Sequence, residues 1–338
     1  MRNLFFARSS KSMSAATESI SYLSSKLTPR PAQAGRSFLH DNPARMKIVV
    51  SGGTGFIGGA LVQRLLQRRD EVLVISRRPE NVRAGRGIAW SAADEVANAD
   101  VVINLAGENV GGGRWTASRK RRILESRLKS TKTLVETMRR APQRKPTFIS
   151  ASAVGFYGPR GDEIVDESSP SGAGFLADVT RQWEAAAHDA DDVTRLVVFR
   201  FGVVLGPDGG ALKQMMLPFR LGAGGPIGSG QQWMSWVDRN DVIRAIEWAI
   251  DRSEVRGAYN ITSPEPVRNR EFARALGRAM QRPAVMPTPG FALRLLFGDM
   301  AEEMLLAGQR VVPSRALREG FTFQYPTLES SLSANFSK

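Results

Sequence analysis

The 338-residue chain carries 47 Lys and Arg against 33 Asp and Glu, a formal charge of +14. It has no cysteine and only His40 and His188, which excludes disulfides, thiolate catalysis and Cys-ligated metal and leaves too few ligands for a histidine-built site, so no metal is expected. An apolar content of 42% suits one large α/β core plus a smaller addition, and no run approaches eighteen apolar residues, so no membrane-spanning helix is expected.

Residues 1–45 are rich in Ser, Arg and Ala and hold +5 of the net charge. This composition reads as an organellar transit peptide, with a merely disordered leader as the alternative. Arg2, Leu4, Phe5, Ala7, Arg8 and Lys11 suit a short basic amphipathic helix, and Arg36-Ser37-Phe38-Leu39 suits a matrix-protease site. The expected address is the mitochondrion, with a plastid as the alternative. The remaining excess of positive charge clusters at Arg119 to Arg122 and Arg139 to Lys145, on and just after an expected helix. A solvated face or a surface for an anionic partner accounts for it. Basic and aromatic residues do not interleave as in a nucleic-acid recognition motif, so nucleic acid is not an expected partner.

The fold begins at Met46. An apolar run (Ile48, Val49, Val50) meets a glycine-rich turn, then apolar residues at helical spacing (Phe56, Ile57, Ala60, Leu61, Leu65, Leu66), then a second apolar run, Val72 to Ile75. This is a βαβ unit of a dinucleotide-binding domain. Gly53, Gly55 and Gly58 meet the G-x-G-x-x-G spacing, and Gly52, Gly55 and Gly58 meet G-x-x-G-x-x-G. Such glycines allow a tight turn, close approach of backbone to a pyrophosphate, and close helix–strand packing. The cofactor-binding candidates here are Gly52, Gly53, Thr54, Gly55, Phe56, Ile57 and Gly58.

About twenty residues past the turn, an NAD site presents Asp or Glu to the ribose 2′-hydroxyl, whereas Arg suits the 2′-phosphate of NADP. Here the strand ends Ser76-Arg77-Arg78, with no acid before Glu80. NADP(H) is therefore the expected cofactor, with Arg77 on the phosphate and Ser76 beside it, although two arginines after a strand also suit a solvated turn. The next strand, Asp100 to Leu105, runs into Ala106-Gly107, and Leu105, Ala106 and Gly107 join the cofactor-side set because small residues at a strand's carboxyl end admit the ligand. A loop at Gly111 to Trp115 precedes a long helix, about Ala117 to Arg140. Strands at Pro146 to Ala151 and Arg195 to Val204 flank a helix at Asp178 to Ala190. Ser150 and Ala151 complete the cofactor-side set. Strands alternating with helices predict a doubly wound parallel sheet.

Beyond about Gly206 the pattern changes, so residues 46–205 read as the cofactor domain and residues 206–338 as a substrate-side region interleaved with the sheet. Helices are expected at Asp241 to Ile250 and Asn269 to Met280, with a short strand at Tyr259 to Thr262. An apolar helix near Phe291 to Ala307 is expected to face the core, since Asp299, Glu302 and Glu303 interrupt any membrane-surface stripe.

Together GGTGFIG, NLAGENV, ESRLKST, ISASAVGFYG, WEAAA, RFGVVLGPDGGAL, GSGQQWMSWV and VPSRALREGFTFQYP carry a resemblance over residues 46 to about 332. The chain resembles an extended or atypical short-chain dehydrogenase/reductase. It is most similar to the NAD(P)-dependent epimerase-like family of bacteria, mitochondria and plastids, some members of which are labelled cell-division inhibitors. The resemblance implies a Rossmann fold and a Ser, Tyr and Lys that move a proton. Ser152 matches the Ser, but the Tyr and Lys positions hold Leu176 and Thr180, which cannot take those roles. Tyr157 is the remaining catalytic candidate beside Ser152, with packing under the cofactor as an equal prospect. Asp238 stands where the family usually has His.

Substrate-side candidates are Glu108, Arg114, Trp115, Arg127 and Gln232. The arginines suit a carboxylate or phosphate, so the expected substrate is a small, anionic molecule. Glu108 also suits a solvated loop, and Trp115 suits the core. Two functions fit: an oxidoreductase or epimerase with altered proton transfer, or a non-catalytic NADP(H)-binding scaffold or regulator. The sequence locates no oligomer interface.

Overall fold

Strand-forming runs and the glycine turn build the first parallel pair, Lys47–Ser51 (β1) and Glu71–Ile75 (β2), joined through Phe56–Gln67 (α1). The computed structural model describes residues 45–336, and the leader expectation, save at Arg45, lies outside them. Five further strands follow: Arg86–Ile88 (β3), Val101–Asn104 (β4), Thr147–Ala153 (β5), Arg195–Phe201 (β6) and Gly257–Ile261 (β7). They form one sheet in the order β7-β6-β5-β4-β1-β2-β3, every neighbour parallel. Strand order reverses between β1 and β4, which opens a crevice at their carboxyl ends, the place where open α/β sheets take ligands.

Both faces are covered, which is why these strands read as continuous apolar runs rather than alternating ones. Ile48, Val50, Val72, Val74, Val101 and Ile103 point to one layer with Leu61 and Leu65 of α1 and with Arg239–Asp251, a helix that becomes α6 in chain order. Val49, Leu73, Ile75, Val102 and Phe148 point to the other. That layer contains Ala93–Ala97 (α2), Ala117–Met138 (α3) and Phe175–His188 (α4). The three-residue β3 and the five-residue α2 fall below the length at which sequence periodicity speaks.

After β6 the chain leaves the sheet. The expected strand through Val204 breaks at Gly202, whose Cβ, were it present, would lie 2.6 Å from the Ser235 carbonyl oxygen. Val203–Leu205 instead pairs with Trp236–Asp238. Gly210–Arg220 (α5), Asn269–Met280 (α7) and Leu328–Phe336 (α10) then enclose a second core around Trp236, Phe272, Leu276 and Leu332. Between them lie Gly290–Phe297 (α8), a π-helical turn at Ala301–Leu306, and Ser314–Arg318 (α9). β7 returns from this region to the main sheet beside β6.

The single core-facing helix expected from Phe291 to Ala307 is corrected to two pieces. Gly298 takes φ +57, a conformation open to glycine, and stops α8. Of α8 only Leu293 is buried, while Phe291, Leu295 and Leu296 stand 72%, 75% and 62% exposed. The π-helical turn is the part that faces inward, through Ala301.

Residues 324–335 are held by charge as well as by packing. Asp241, fully buried in α6, accepts hydrogen bonds from the backbone N–H of Gln324 (2.7 Å) and Tyr325 (2.9 Å). Asp238 caps α6 through Asn240 N (2.8 Å) and also accepts from Ser331 Oγ (2.7 Å) and Asn335 Nδ2 (3.0 Å) of α10. We expect Asp241→Ala to lower stability by about 2–3 kcal/mol, the worth of charge-assisted bonds that leave buried donors behind. Urea unfolding measures it, and proteolysis should cut near residue 324 first; a change under about 0.5 kcal/mol would refute the assignment.

Candidate functional site

The crevice between β1 and β4 is shaped by atoms that are missing. A Cβ on Gly52, which adopts φ +75, would fall 2.7 Å from the Leu105 carbonyl, and one on Gly58 would fall 2.2 Å from Gly52 O. Only glycine lets the turn press against the end of β4 and lets α1 start against the turn. Gly53 packs on Val74, and Gly55 N donates to Gly52 O at 3.0 Å. Gly55 is the N-cap of α1, with no side-chain cap and no acid in the first turn, while Thr54 and Gly55 lie exposed. The first amides of α1 thus face outward over the crevice, where a helix N-terminus favours an anion. Ile57 is half-buried against the core below. The Phe56 ring is clasped by Gly206, Gly209 and Gly210, each of which would clash through a Cβ at 2.7 Å or less, and by the Arg239 guanidinium at 4.8 Å.

At the end of β2, Ser76 Oγ accepts from Arg78 N (3.1 Å), turning the chain. Arg77 is exposed, and among the described residues it forms no ion pair. On β4, Asn104 anchors the neighbouring strand ends: its Oδ1 accepts from Ser51 Oγ (2.6 Å) and Ala106 N (3.3 Å), and its Nδ2 donates to Thr131 Oγ1 (2.9 Å). Trp183 Nε1 donates to the same Thr131 hydroxyl at 3.0 Å. Leu105 and Ala106 are half-buried and Gly107 exposed, in line with the turn.

Arg127 on α3 lies directly behind Gly107. A Cβ there would come within 3.1 Å of its Cζ. Its Nη1 donates to Ile123 O (2.9 Å) and Glu108 O (3.1 Å), and its Cζ sits 5.0 Å from the centre of the Trp183 ring. The Glu108 carboxylate pairs instead with Arg122 at 3.4 Å. Burial pulls the Arg127 pKa down to about 10, with Glu108 acting in the opposite sense, so the guanidinium is charged at neutral pH.

Ser152 and Tyr157 do come together, through groups the sequence reading had not paired. Ser152 Oγ donates to Glu184 Oε1 at 2.6 Å. Arg200 grips Glu184 with Nε (2.9 Å) and Nη2 (2.7 Å) and donates from Nη1 to the Tyr157 hydroxyl at 2.9 Å. Tyr157 in turn donates to Asn260 Oδ1 at 2.7 Å, and the guanidinium lies 3.6 Å from the centre of the Phe156 ring. Ser152 is 3% and Tyr157 0% exposed, so both hydroxyls are engaged inside the protein. Burial pushes the Tyr157 hydroxyl above its usual range, against the pull of Arg200. Burial is the largest single influence on Arg200 and opposes its charge, but the hydrogen bonds and charges of Glu184 and Tyr157 together outweigh it, and the guanidinium titrates above its ordinary value. Ser150 and Ala151 are buried in β5.

Leu176 and Thr180 lie on α4 beside this network. Leu176 Cβ would be 3.2 Å from a Cβ on Gly155, and Thr180 Oγ1 donates to the carbonyls of Leu176 (2.9 Å) and Ala177 (3.0 Å). Leu176 and Phe175 belong to an apolar roof with Trp115, Ile123, Met300, Met304 and Leu305. Trp115 is roof core: 6% exposed, it meets the Phe175 ring edge-on at 5.0 Å and donates from Nε1 to Val110 O. Arg114 is exposed and donates to Leu295 O at 3.1 Å, and Gln232 donates to Ile227 O (3.1 Å) and Leu305 O (2.7 Å). Arg114 and Gln232 thus tie loops to the roof. Glu303 completes it by accepting Phe175 N and Leu176 N, each at 2.9 Å, across the open N-terminus of α4. Of the substrate-side candidates, Arg127 and Glu108 stand at the crevice. Nothing local in the sequence gives Glu184, Arg200 and Asn260 a role here, and Glu303 reads there only as a break in an apolar helix, because each acts at a distance in sequence. A buried charge of either sign demands a partner, and that demand is the one signal that could have flagged Glu184 and Arg200.

A parallel sheet with this strand order, a glycine turn opening α1, and a bare crevice at the reversal define a Rossmann-type nicotinamide-cofactor protein. Residues 48–262 match the NAD dependent epimerase/dehydratase family and residues 288–334 match a domain of unknown function, DUF1731. The chain belongs to this epimerase/dehydratase family, of the extended short-chain dehydrogenase/reductase type. Among its relatives, the human epimerase family protein SDR39U1 is 40% identical over 292 residues, covering 85% of this chain and 98% of that one. The chloroplastic SDR39U1 homolog of Arabidopsis thaliana is 39% identical over 303 residues, 86% and 87% of the two chains. The crystal structure of human SDR39U1 with NADPH superposes with a TM-score of 0.79 at 39% identity, covering 86% of this chain and 99% of that one.

Glu184→Gln should cost about 3–5 kcal/mol in urea unfolding, because it strands Arg200 as an uncompensated buried charge. Ser152→Ala, which leaves the ion pair intact, should cost about 1 kcal/mol. Equal losses in the two variants would show that Glu184 does not carry the network.

Proposed function

We propose that the chain is an NADP(H)-binding oxidoreductase- or epimerase-like protein acting on a small molecule, without a Tyr–Lys pair for proton transfer. The observation that carries the cofactor choice is Arg77, exposed and unpaired at the end of β2 where no acid stands to receive a ribose 2′-hydroxyl. The amides of α1 would hold the pyrophosphate, Leu105 to Gly107 would flank the ribose, and Ser76 with Arg77 would hold the 2′-phosphate. A bound nicotinamide supplies a hydride donor or acceptor. The chain's own part is to bind and orient it, and the apolar roof of Trp115, Met300 and Met304 excludes water. The NADPH complex of the human relative supports this reading.

A second reading, binding without catalysis as a scaffold or regulator, is favoured by Ser152 and Tyr157 both being hydrogen-bonded within the protein. Purified chain that binds NADPH yet oxidises none across a broad panel of carbonyl metabolites would decide for it. The basic, Ser-rich leader supports a mitochondrial address, with a plastid as the alternative. Residues 1–45 fused to a fluorescent protein should label mitochondria, and diffuse cytosolic signal would remove that proposal.

Arg77→Ala should weaken NADPH binding roughly 10- to 100-fold, about 1.4–2.8 kcal/mol, while NADH binding moves less than about threefold. Intrinsic cofactor fluorescence measures both. Equal effects on the two cofactors would overturn the 2′-phosphate assignment.

A further inference from the structure

Exposed apolar side chains collect at one place. Of the ten large apolar residues left exposed among the described residues, seven lie on two segments that pack side by side. α5 presents Leu217, and Leu221 follows one turn later on the same face. The chain after α5 then runs beside residues 286–288: Met286 N donates to Gly224 O (3.0 Å), Thr288 N to Pro226 O (2.9 Å) and Gly228 N to Thr288 O (2.9 Å). That pairing sets Val285 and Met286 near the end of α5, and α8, which starts just beyond, adds Phe291, Leu295 and Leu296. The loop before α3 ties the two helices a second time. Its Arg114 donates to Leu295 O at 3.1 Å, and a Cβ on its Gly111 would lie 3.9 Å from Gln214 Oε1 of α5. The other three exposed residues, Leu66, Ile164 and Leu317, stand singly on separate elements, as surface apolar residues ordinarily do.

The charge of this surface has one sign. No Asp or Glu occurs in residues 209–237 or 272–298, which carry Lys213, Arg220, Arg274, Arg278, Arg282 and Arg294. Arg278 pairs with Glu329 and Arg294 with Glu302, whereas the other four are exposed and form no ion pair among the described residues. Arg274, Arg278 and Arg282 line one open cleft of about 430 Å³ together with Gly277 and Val285, so cations and apolar edge share a site. The acids that interrupt the apolar sequence after Phe291 do not interrupt the surface. Gly298 ends α8 ahead of them; Asp299 pairs with Lys120 (2.5 Å), Glu302 with Arg294, and Glu303 with the amides of α4. Exposed apolar tips flanked by unpaired cations suit the boundary of an anionic bilayer, the tips among acyl chains and the guanidinium groups among phosphates. A second copy fits less well, because a two-fold contact sets these cations against themselves.

We propose that the chain docks on the surface of an anionic phospholipid bilayer through α8, residues 285–286 and the outer face of α5, with the cleft of Arg274, Arg278 and Arg282 taking a lipid phosphate. The docking is peripheral, since no described helix is long and apolar enough to cross a membrane. The turn that roofs the crevice follows α8 directly, so docking holds that roof beside the lipid.

The chain has no cysteine, so one introduced into the full chain takes a polarity-sensitive fluorophore at that place alone. Leu295→Cys, with Ile164→Cys as the exposed control on another element, is titrated with vesicles of phosphatidylcholine and phosphatidylserine at roughly 3:1 and with vesicles of phosphatidylcholine alone. Thermal unfolding checks that each variant is folded. The label at 295 should shift to the blue with the anionic vesicles only, and the label at 164 with neither. Adding Arg274→Gln and Arg282→Gln should raise the lipid needed for half the shift by about tenfold or more, and high salt should do the same without any substitution. The leader is itself basic, so sedimentation with the vesicles while the 295 label keeps its aqueous spectrum would overturn the proposal. A shift at 295 that grows with protein concentration in the absence of lipid would overturn it in favour of a second copy.

Discussion

Much of the molecule depends on one buried ion pair. Glu184 of α4 and Arg200 of β6 bind through two contacts below 3 Å, each side chain under a tenth exposed. Neither charge could be taken out of water alone, and together they still leave lone pairs and protons to satisfy. Ser152, Tyr157 and Asn260 supply those remaining bonds, which brings β5, the turn after it, β6 and β7 to a common point. A fully satisfied polar network of this kind specifies one arrangement of its elements more than it stabilises them. It fixes how α4 lies on the sheet, and α4 in turn presents Trp183 to the crevice and Leu176 to the roof.

This arrangement also explains why an aliphatic side chain is comfortable at position 176. Met300, Met304 and Leu305 from the C-terminal region bring apolar atoms down onto that end of α4, and Leu176 joins them. Glu303 then satisfies the amides of Phe175 and Leu176 that a helix start leaves open. The two matched segments, 48–262 and 288–334, therefore share one cluster of side chains around α4. The crevice is floored by the first and roofed by the second.

The sequence was legible where the physics is local. GGTGFIG announces its turn because part of the constraint lies within seven residues: a Cβ at Gly58 would strike Gly52 of the turn itself, while one at Gly52 would strike the end of β4 at Leu105. Arg77 could be placed because it follows a strand at a fixed offset. The paired hydroxyls of Ser152 and Tyr157 could not, since their partners are 32 and 103 residues away. The apolar pattern after Phe291 misled for another reason. Its periodicity fits a helix, but Gly298 divides it and leaves Phe291, Leu295 and Leu296 outward. Periodicity reports which residues share a face, not what that face meets. Arg127 fell between these cases: its residue type marked it, but only the fold distinguishes it from Arg114.

The Glu303 cap has a consequence for the order in which the chain is made. Ribosomal synthesis delivers the strands of the cofactor half first, and α4 is complete in sequence by residue 188. Its first amides are met only by a carboxylate that emerges 115 residues later, after β7 has already closed the sheet edge. A nascent chain can therefore assemble β1 to β5 while the floor of the crevice still has no lid. The site is finished only by a segment that leaves the ribosome after the cofactor half.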